Sequence, residues 1–443
     1  MVIHAKVALL PTGWARDVQI CHNGGVITEV TVGAVAAEGD LCADILIPGL
    51  SNVHSHAFQR GFSGLTEQRG PTRDSFWTWR NMMYRFAASL TPDAMQAIAA
   101  LAYVEMLEAG FTRVGEFHYL HHDPQGRAYD NPAEMSLRIF AAAQDTGMNL
   151  THLPVFYAYG GFGRQMPGPE QRRFVHELQD FFRLIEACDV MARPQDRVGL
   201  SAHSLRAATI AQITELAQGF PNRPFHIHIA EQMQEVKDCI ALTGRRPVDY
   251  LMDHAPVSPD WCLIHATHLT PQEVQRIVER DAVVGLCPIT EANLGDGCFP
   301  ARDFLAKGGR FGLGTDSNVQ ITATGEARML EYSQRLSLQE RNVCADLGST
   351  GARLFHAAAS GGAQALGAPS PQIAPGSPAD LVALADGLSF DMADDRLLDR
   401  WIFGRDLKVV DVWATGQHVV REGRHIQRDQ IVQLASRQCR DLI

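Results

Sequence analysis

The chain has 443 residues, 46% of them hydrophobic and 20% charged, with a formal net charge of −11. Such a length and composition suit a globular protein with a sizeable core, large for one domain but within reach of an α/β barrel carrying insertions. The acidic balance argues against nucleic acid or an anionic membrane as partner, and no apolar run approaches the roughly 18 residues of a membrane span.

In chain order, the opening segment alternates as short strands over 6–10, 17–21 and 26–32, with Gly24-Gly25 as a turn signal. It has no basic region followed by an apolar stretch, so a cytoplasmic location is expected. Strand runs then follow at 45–53, 112–117, 149–155, 197–202, 224–227, 261–264, 282–287 and 310–315. Helical periodicity falls between and after them, at 92–109, 132–146, 169–187, 208–218, 271–280, 327–335 and 350–366. Eight strands alternating with helices predict a (β/α)8 TIM-like barrel. The tail returns to strands at 379–384, 409–414 and 418–420. The two chain ends are therefore expected to form one small β-sandwich domain, 1–46 plus 372–443, beside a catalytic barrel over 47–371. The nine cysteines are odd in number and contain no Cys-x-x-Cys pair, as expected for reduced thiols.

The informative residues sit where barrel strands should end. His54 and His56 close the first run, His228 closes the fifth with Glu231 three residues on, His265 closes the sixth and Asp316 the eighth. A parallel barrel gathers its C-terminal strand ends at one mouth. Residues two apart on a strand share a face, so His54 and His56 can face one ion. With His228 and Asp316 they supply three nitrogens and one oxygen, a set that suits one zinc or another divalent transition metal while leaving a place for water. Water so bound has a pKa near about 7 and becomes a nucleophile at neutral pH. Glu231 is placed to shuttle protons, and His265 to orient the water or stabilise its charge. Asp316 can ligate, accept a proton, or both; taken alone, Thr315-Asp316-Ser317-Asn318 is also good turn chemistry.

With these residues in hand, the chain resembles the amidohydrolase superfamily over nearly its whole length. Pro48-Gly49-Leu50-Ser51-Asn52-Val53-His54-Ser55-His56 resembles that superfamily's first-strand signature, and Gly376-Ser377-Pro378-Ala379-Asp380 resembles the strand that resumes its β domain. The fourth strand leads to His203 without a lysine. Because binuclear members bridge two metals with a modified lysine there, the resemblance implies the one-metal deaminases. Within them, the segments around Gln59, Trp77 to Arg80, Glu116 to His122, Ser201 to Arg206 and Cys287 to Gly297 are similar to deiminases acting on N-formimino-L-glutamate in bacterial histidine degradation. That resemblance implies hydrolysis to N-formyl-L-glutamate and ammonia, with one Zn2+ per chain and a homodimer as the default assembly.

Such a substrate carries two carboxylates, which Arg grips through paired hydrogen bonds. Arg206 falls just past the fourth strand, and Arg80 in the long segment after the first, as a lid element would. By resemblance Arg80, Tyr119, His203 and Arg206 hold the glutamate part, and Gln59 lies near the formimino group. Glu291 and Asn293 are expected near the pocket without an assigned role, and Phe76, Trp77 and Trp79 are expected to pack rather than stack on substrate. A deaminase of purines, pyrimidines or triazines is the rival reading and would want an aromatic slot in place of two arginines. A catalytically dead barrel would lack some of the ligands.

Overall fold

The structure is a computed structural model that describes residues 1–71, 74–440 and 442, so positions 441 and 443 of the expected β domain lie outside the described residues. Eight parallel strands close into a barrel: Leu50–Ser55, Phe111–His118, Asn149–Phe156, Leu200–Ser204, Phe225–Ile229, Trp261–His265, Val283–Leu286 and Arg310–Leu313. Closure comes where the last strand pairs with the first, Leu313 opposite Asn52. Several strands are buried along their whole length, as expected of parallel strands covered by helices on one side and barrel filling on the other.

The helices start where side chains can take up the first free N–H groups. Thr91 precedes Pro92–Glu108 and accepts from Ala94 N, while Thr270 and Glu273 form a capping box on Pro271–Glu279. A helix at Phe76–Ser89, absent from the sequence reading, spans the long segment after the first strand and carries Arg80.

A second sheet of eight strands is built from both chain ends, with Leu41–Pro48 beside Leu381–Asp386. The sheet bends so that Ile3, Val18, Ile20 and Ile27 meet Leu381, Ala383 and Trp413 in one apolar cluster, the packing of a small sandwich. It lies next to the barrel, and Arg428 of the final helix, Arg428–Cys439, reaches Glu108 on the barrel's helix Pro92–Glu108.

Three expectations change. The run at 45–53 serves two sheets: it leaves the end sheet at Pro48 and enters the barrel at Leu50. Gly49 makes the crossing, its N–H donating to Asp380 O, and a Cβ there would sit 2.4 Å from Thr112 Cγ2. The run at 197–202 likewise breaks at Gly199 into Arg197–Val198 and Leu200–Ser204. The helix expected over 169–187 begins only at Leu178, after a short turn at Pro169–Gln171. Tertiary hydrogen bonds hold 171–177 out of helix: Arg173 O accepts from His121 and His122 N–H, and His176 N–H donates to Tyr157 O.

Candidate active site and metal centre

The strand ends bring His54, His56, His228, His265 and Asp316 to one buried cluster at the barrel mouth. His56 stands one residue past its strand, and Asp316 is held beside Ser55 by a β-bridge, its N–H donating to His54 O at 2.9 Å. His54 Nε2 lies 3.1 Å from His228 Nε2 and 3.4 Å from Asp316 Oδ1, and His56 Nε2 lies 3.2 Å from the same oxygen. Tetrahedral donors about 2.0–2.1 Å from one ion are roughly 3.3 Å apart, so the spacing fits a shared cation.

The hydrogen bonding makes the same case. His56 Nδ1 donates to Phe117 O at 2.9 Å and His228 Nδ1 to His203 O at 3.0 Å. Each Nε2 is therefore a lone pair, that of His56 facing the Asp316 carboxylate and that of His228 facing His54 Nε2. Such an arrangement is repulsive in a buried site until a cation enters. Burial also keeps these imidazoles neutral, lowering His54 to about 3 and pushing His56 and His228 down. Burial works against ionisation of Asp316, yet the His54 hydrogen bond and surrounding imidazoles hold it below the usual carboxylate range. The residues present fit a divalent metal ion.

Around the cluster lies a supporting layer that the sequence reading missed. Asn52 Oδ1 accepts from His54 N–H and Thr315 N–H, and Asn318 Nδ2 donates to Ser55 Oγ and His56 O. Together they clamp the first and eighth strand ends. Glu116 Oε1 accepts the Ala57 N–H at 2.7 Å, and burial pushes its carboxyl up to about 8. The Asn52-x-His54-x-His56 spacing was a signal for this layer, because Asn52 shares their face. Asn318, by contrast, reads in sequence as turn chemistry.

Glu231 and His265 complete the polar floor, with His265 Nε2 3.9 Å from both Glu231 Oε1 and Asp316 Oδ2. Burial opposes a charge on His265, but Glu231, Glu291 and Asp316 outweigh it and raise the imidazole to about 10; a metal ion beside it would oppose that rise. Burial raises Glu231, with His265 and Arg206 pulling the other way. Glu231 is set by a tight turn: Ala230 has φ 51°, and Glu235 accepts the N–H groups of both Ala230 and Glu231 at 3.2 Å. Glu291 acts from behind, its Oε1 3.3 Å from His265 Nδ1 and accepting Cys287 N–H. Asn293 is not in the cavity wall; it is exposed and donates to Glu67.

The cluster opens into a cavity walled by Gln59, Arg80, Tyr119, His203 and Arg206, together with Glu231. Gln59 Nε2 donates to Tyr119 Oη at 3.0 Å, leaving Gln59 Oε1 buried without a partner. Arg80 stacks on Trp77, its Cζ 4.5 Å from the ring centroid. Phe76 and Trp79 reach the cavity wall, so of the three aromatics only Trp77 is confined to packing. Among the described residues neither Arg80 nor Arg206 is in an ion pair, and the buried Nε of each has no hydrogen-bond partner. Two cations thus share a cavity with the metal-ligand cluster without a direct ion pair, the nearby Glu231 and Glu235 carboxylates favouring the Arg206 charge from a distance.

Comparison with known proteins agrees with this geometry. The amidohydrolase family profile matches residues 45–419, and one described as the formimidoylglutamate deiminase HutF N-terminal domain matches residues 1–42. The chain is 48% identical over 432 residues to a formimidoylglutamate deiminase of Pseudomonas aeruginosa, covering 96% of this chain and 95% of the relative. It is 49% identical to an amidohydrolase from Brucella melitensis of known crystal structure, with a TM-score of 0.97 over 100% of this chain and 99% of that one. A zinc-bound adenosine deaminase from Xanthomonas campestris shares the fold at 22% identity, with a TM-score of 0.82 over 99% and 97% of the two chains.

Proposed function

This chain belongs to the amidohydrolase family, and from that premise and the cavity's chemistry we propose that it hydrolyses N-formimino-L-glutamate to N-formyl-L-glutamate and ammonia in histidine degradation. The observation that carries the substrate is the pair of partnerless guanidiniums, Arg80 and Arg206, in the same cavity as the histidine–aspartate cluster. A guanidinium with buried N–H groups that find no acceptor is costly, and a substrate with two carboxylates supplies the acceptors that both lack.

His54, His56, His228 and Asp316 would hold the ion, read as one Zn2+ per chain; when bound, it acidifies water and polarises the amidine. Glu231 faces the reacting centre, takes a proton from the attacking water and delivers it to the departing nitrogen. Water adds to the amidine carbon, the C–NH2 bond breaks, and the carbon keeps the water oxygen as a formyl group. His265 orients the water and steadies the oxygen charge that develops, and Asp316 serves as ligand and proton acceptor together. Gln59 Oε1, buried and free, accepts an N–H of the formimino group, while Tyr119 and His203 donate to the glutamate part.

For organisation, we take 1–46 with 372–443 as one β unit and 47–371 as the catalytic barrel, supported by the sheet crossing at Gly49. No described helix is long and apolar enough to cross a membrane, and nine free cysteines support a reducing, cytoplasmic setting. Assembly as a homodimer is the base-rate reading.

The test is ammonia release by zinc-loaded protein from N-formimino-L-glutamate, with adenosine, guanine and cytosine alongside. Turnover of the formimino compound alone is expected. Silence there with turnover of a nucleobase would favour the rival deaminase and remove Arg80 and Arg206 from substrate binding.

A further inference from the structure

Two buried phenols in the cavity wall have no part in the chemistry described so far. Tyr84 lies one helical turn after Arg80 on Phe76–Ser89, and Tyr157 follows the third barrel strand by one residue. Both meet one buried side chain: Gln171 Nε2 is 2.5 Å from Tyr157 Oη and 3.3 Å from Tyr84 Oη. The amide can take only one orientation. Its Oε1 accepts the Gly168 N–H at 2.8 Å, and because a backbone N–H can only donate, the NH2 must face the phenols. Its two hydrogens are spent on two phenol oxygens acting as acceptors, so each phenol keeps its own O–H to donate. Among the described residues neither hydroxyl donates to a carbonyl or carboxylate, and the neighbouring Tyr84 oxygen is a competing acceptor for the Tyr157 proton.

Tyr157 stays protonated at neutral pH: burial and the neighbouring Tyr84 raise its hydroxyl above the usual range, and Arg206 and Arg80 pull back only in part. The Tyr157 loop is also tied to the loop carrying Arg206, since Ala207 O accepts the N–H groups of Ala158 and Tyr159 at 2.8 and 3.0 Å. Two phenol donors and two guanidinium forks are therefore held in one fixed frame.

We propose that Tyr84 and Tyr157 are the neutral half of the carboxylate receptor, and that Gln171 is the positioning residue that leaves both hydroxyl protons for a substrate carboxylate. This deepens the dicarboxylate reading and rests on it. An ionised carboxylate offers about four acceptor positions, and a bidentate guanidinium fills two of them. Phenol donors fill others without adding charge, and their fixed position sets where the carboxylate carbon must lie. The pair thereby selects substrate length as well as charge.

The test combines the Tyr84→Phe/Tyr157→Phe double variant with Gln171→Glu. The first deletes both O–H groups. The second keeps the side-chain shape and the Gly168 contact, but offers the phenols an acceptor and so turns their protons away from the cavity. Each is expected to raise KM for N-formimino-L-glutamate by about ten- to hundredfold, the loss typical of a donor to a charged acceptor, with kcat within about threefold. Glutarate, a dicarboxylate with no reacting group, should lose affinity by the same factor in calorimetry. Unchanged KM and glutarate affinity in both variants would overturn the proposal, as would a loss confined to kcat. A wild-type protein that binds glutarate but leaves the formimino compound untouched would instead overturn the assigned reaction, and the glutarate series would still decide on the tyrosines.

Discussion

The two ends of the barrel bury charge in opposite ways. At the bottom, the Arg113 guanidinium donates to Leu150 O, Thr151 Oγ1 and Gln195 O, Arg193 forks onto Asp196, and Asp380 accepts from Asn149 Nδ2 and Thr415 N–H. At the mouth, Arg80 and Arg206 make no direct ion pair, Gln59 Oε1 has no donor, and the His56 lone pair faces the Asp316 carboxylate while that of His228 faces His54 Nε2. Burial costs a charged group much the same at either end. The bottom meets that cost in part with hydrogen bonds from within the protein, burial still lowering Arg113 and raising Asp380; the mouth leaves guanidinium N–H groups without acceptors until substrate arrives. Unsatisfied polarity therefore marks function in this barrel more sharply than polarity does.

The contrast can be broken by substitution at either end. The largest effect is expected at Glu231→Gln, which should retain metal by elemental analysis and lose about 10²- to 10⁴-fold in kcat; near-normal turnover would take Glu231 out of the proton transfers. Arg206→Ala should cost about 2–5 kcal/mol of transition-state stabilisation, read from kcat/KM, as expected for losing one partner of a buried charge pair. At the bottom, Arg113→Met should leave three acceptors unpaired and lower unfolding free energy by about 2–4 kcal/mol in urea, with kcat/KM unchanged where the protein stays folded. The smallest effect is expected for Arg80→Met on stability, within about 0.5 kcal/mol, because that guanidinium has no acceptor to abandon. A large loss of stability there would mean that Arg80 belongs to the scaffold and would erase the contrast.

Much of this was legible in the chain. The mouth residues were readable because each ends a β-branched or apolar run, and a parallel barrel turns that position into a shared location. The strand at 45–53 was read as one element because nothing local separates two sheets; the division at Gly49 depends on Thr112 and Asp380, distant in sequence. The helix Phe76–Ser89 lacks a clean apolar stripe, since its aromatics face the cavity as well as the core, and so escaped a periodicity reading. Gln171 was absorbed into an expected helix because Pro169 is a good helix start, whereas its amide is committed to Gly168 and two tyrosines. Asn318 and Glu291 act through contacts made only after folding, and single-residue chemistry does not announce them.

The most direct test of the account is the kcat/KM of the wild-type, metal-loaded protein for N-formimino-L-glutamate against its two analogues that each lack one carboxylate. If the partnerless arginines are a dicarboxylate receptor, deleting either carboxylate should lower kcat/KM by about 30-fold or more, the equivalent of leaving one buried cation unpaired. Equal values for all three compounds would contradict it, and would make the unpaired charge at the mouth a property of the scaffold rather than of the substrate site.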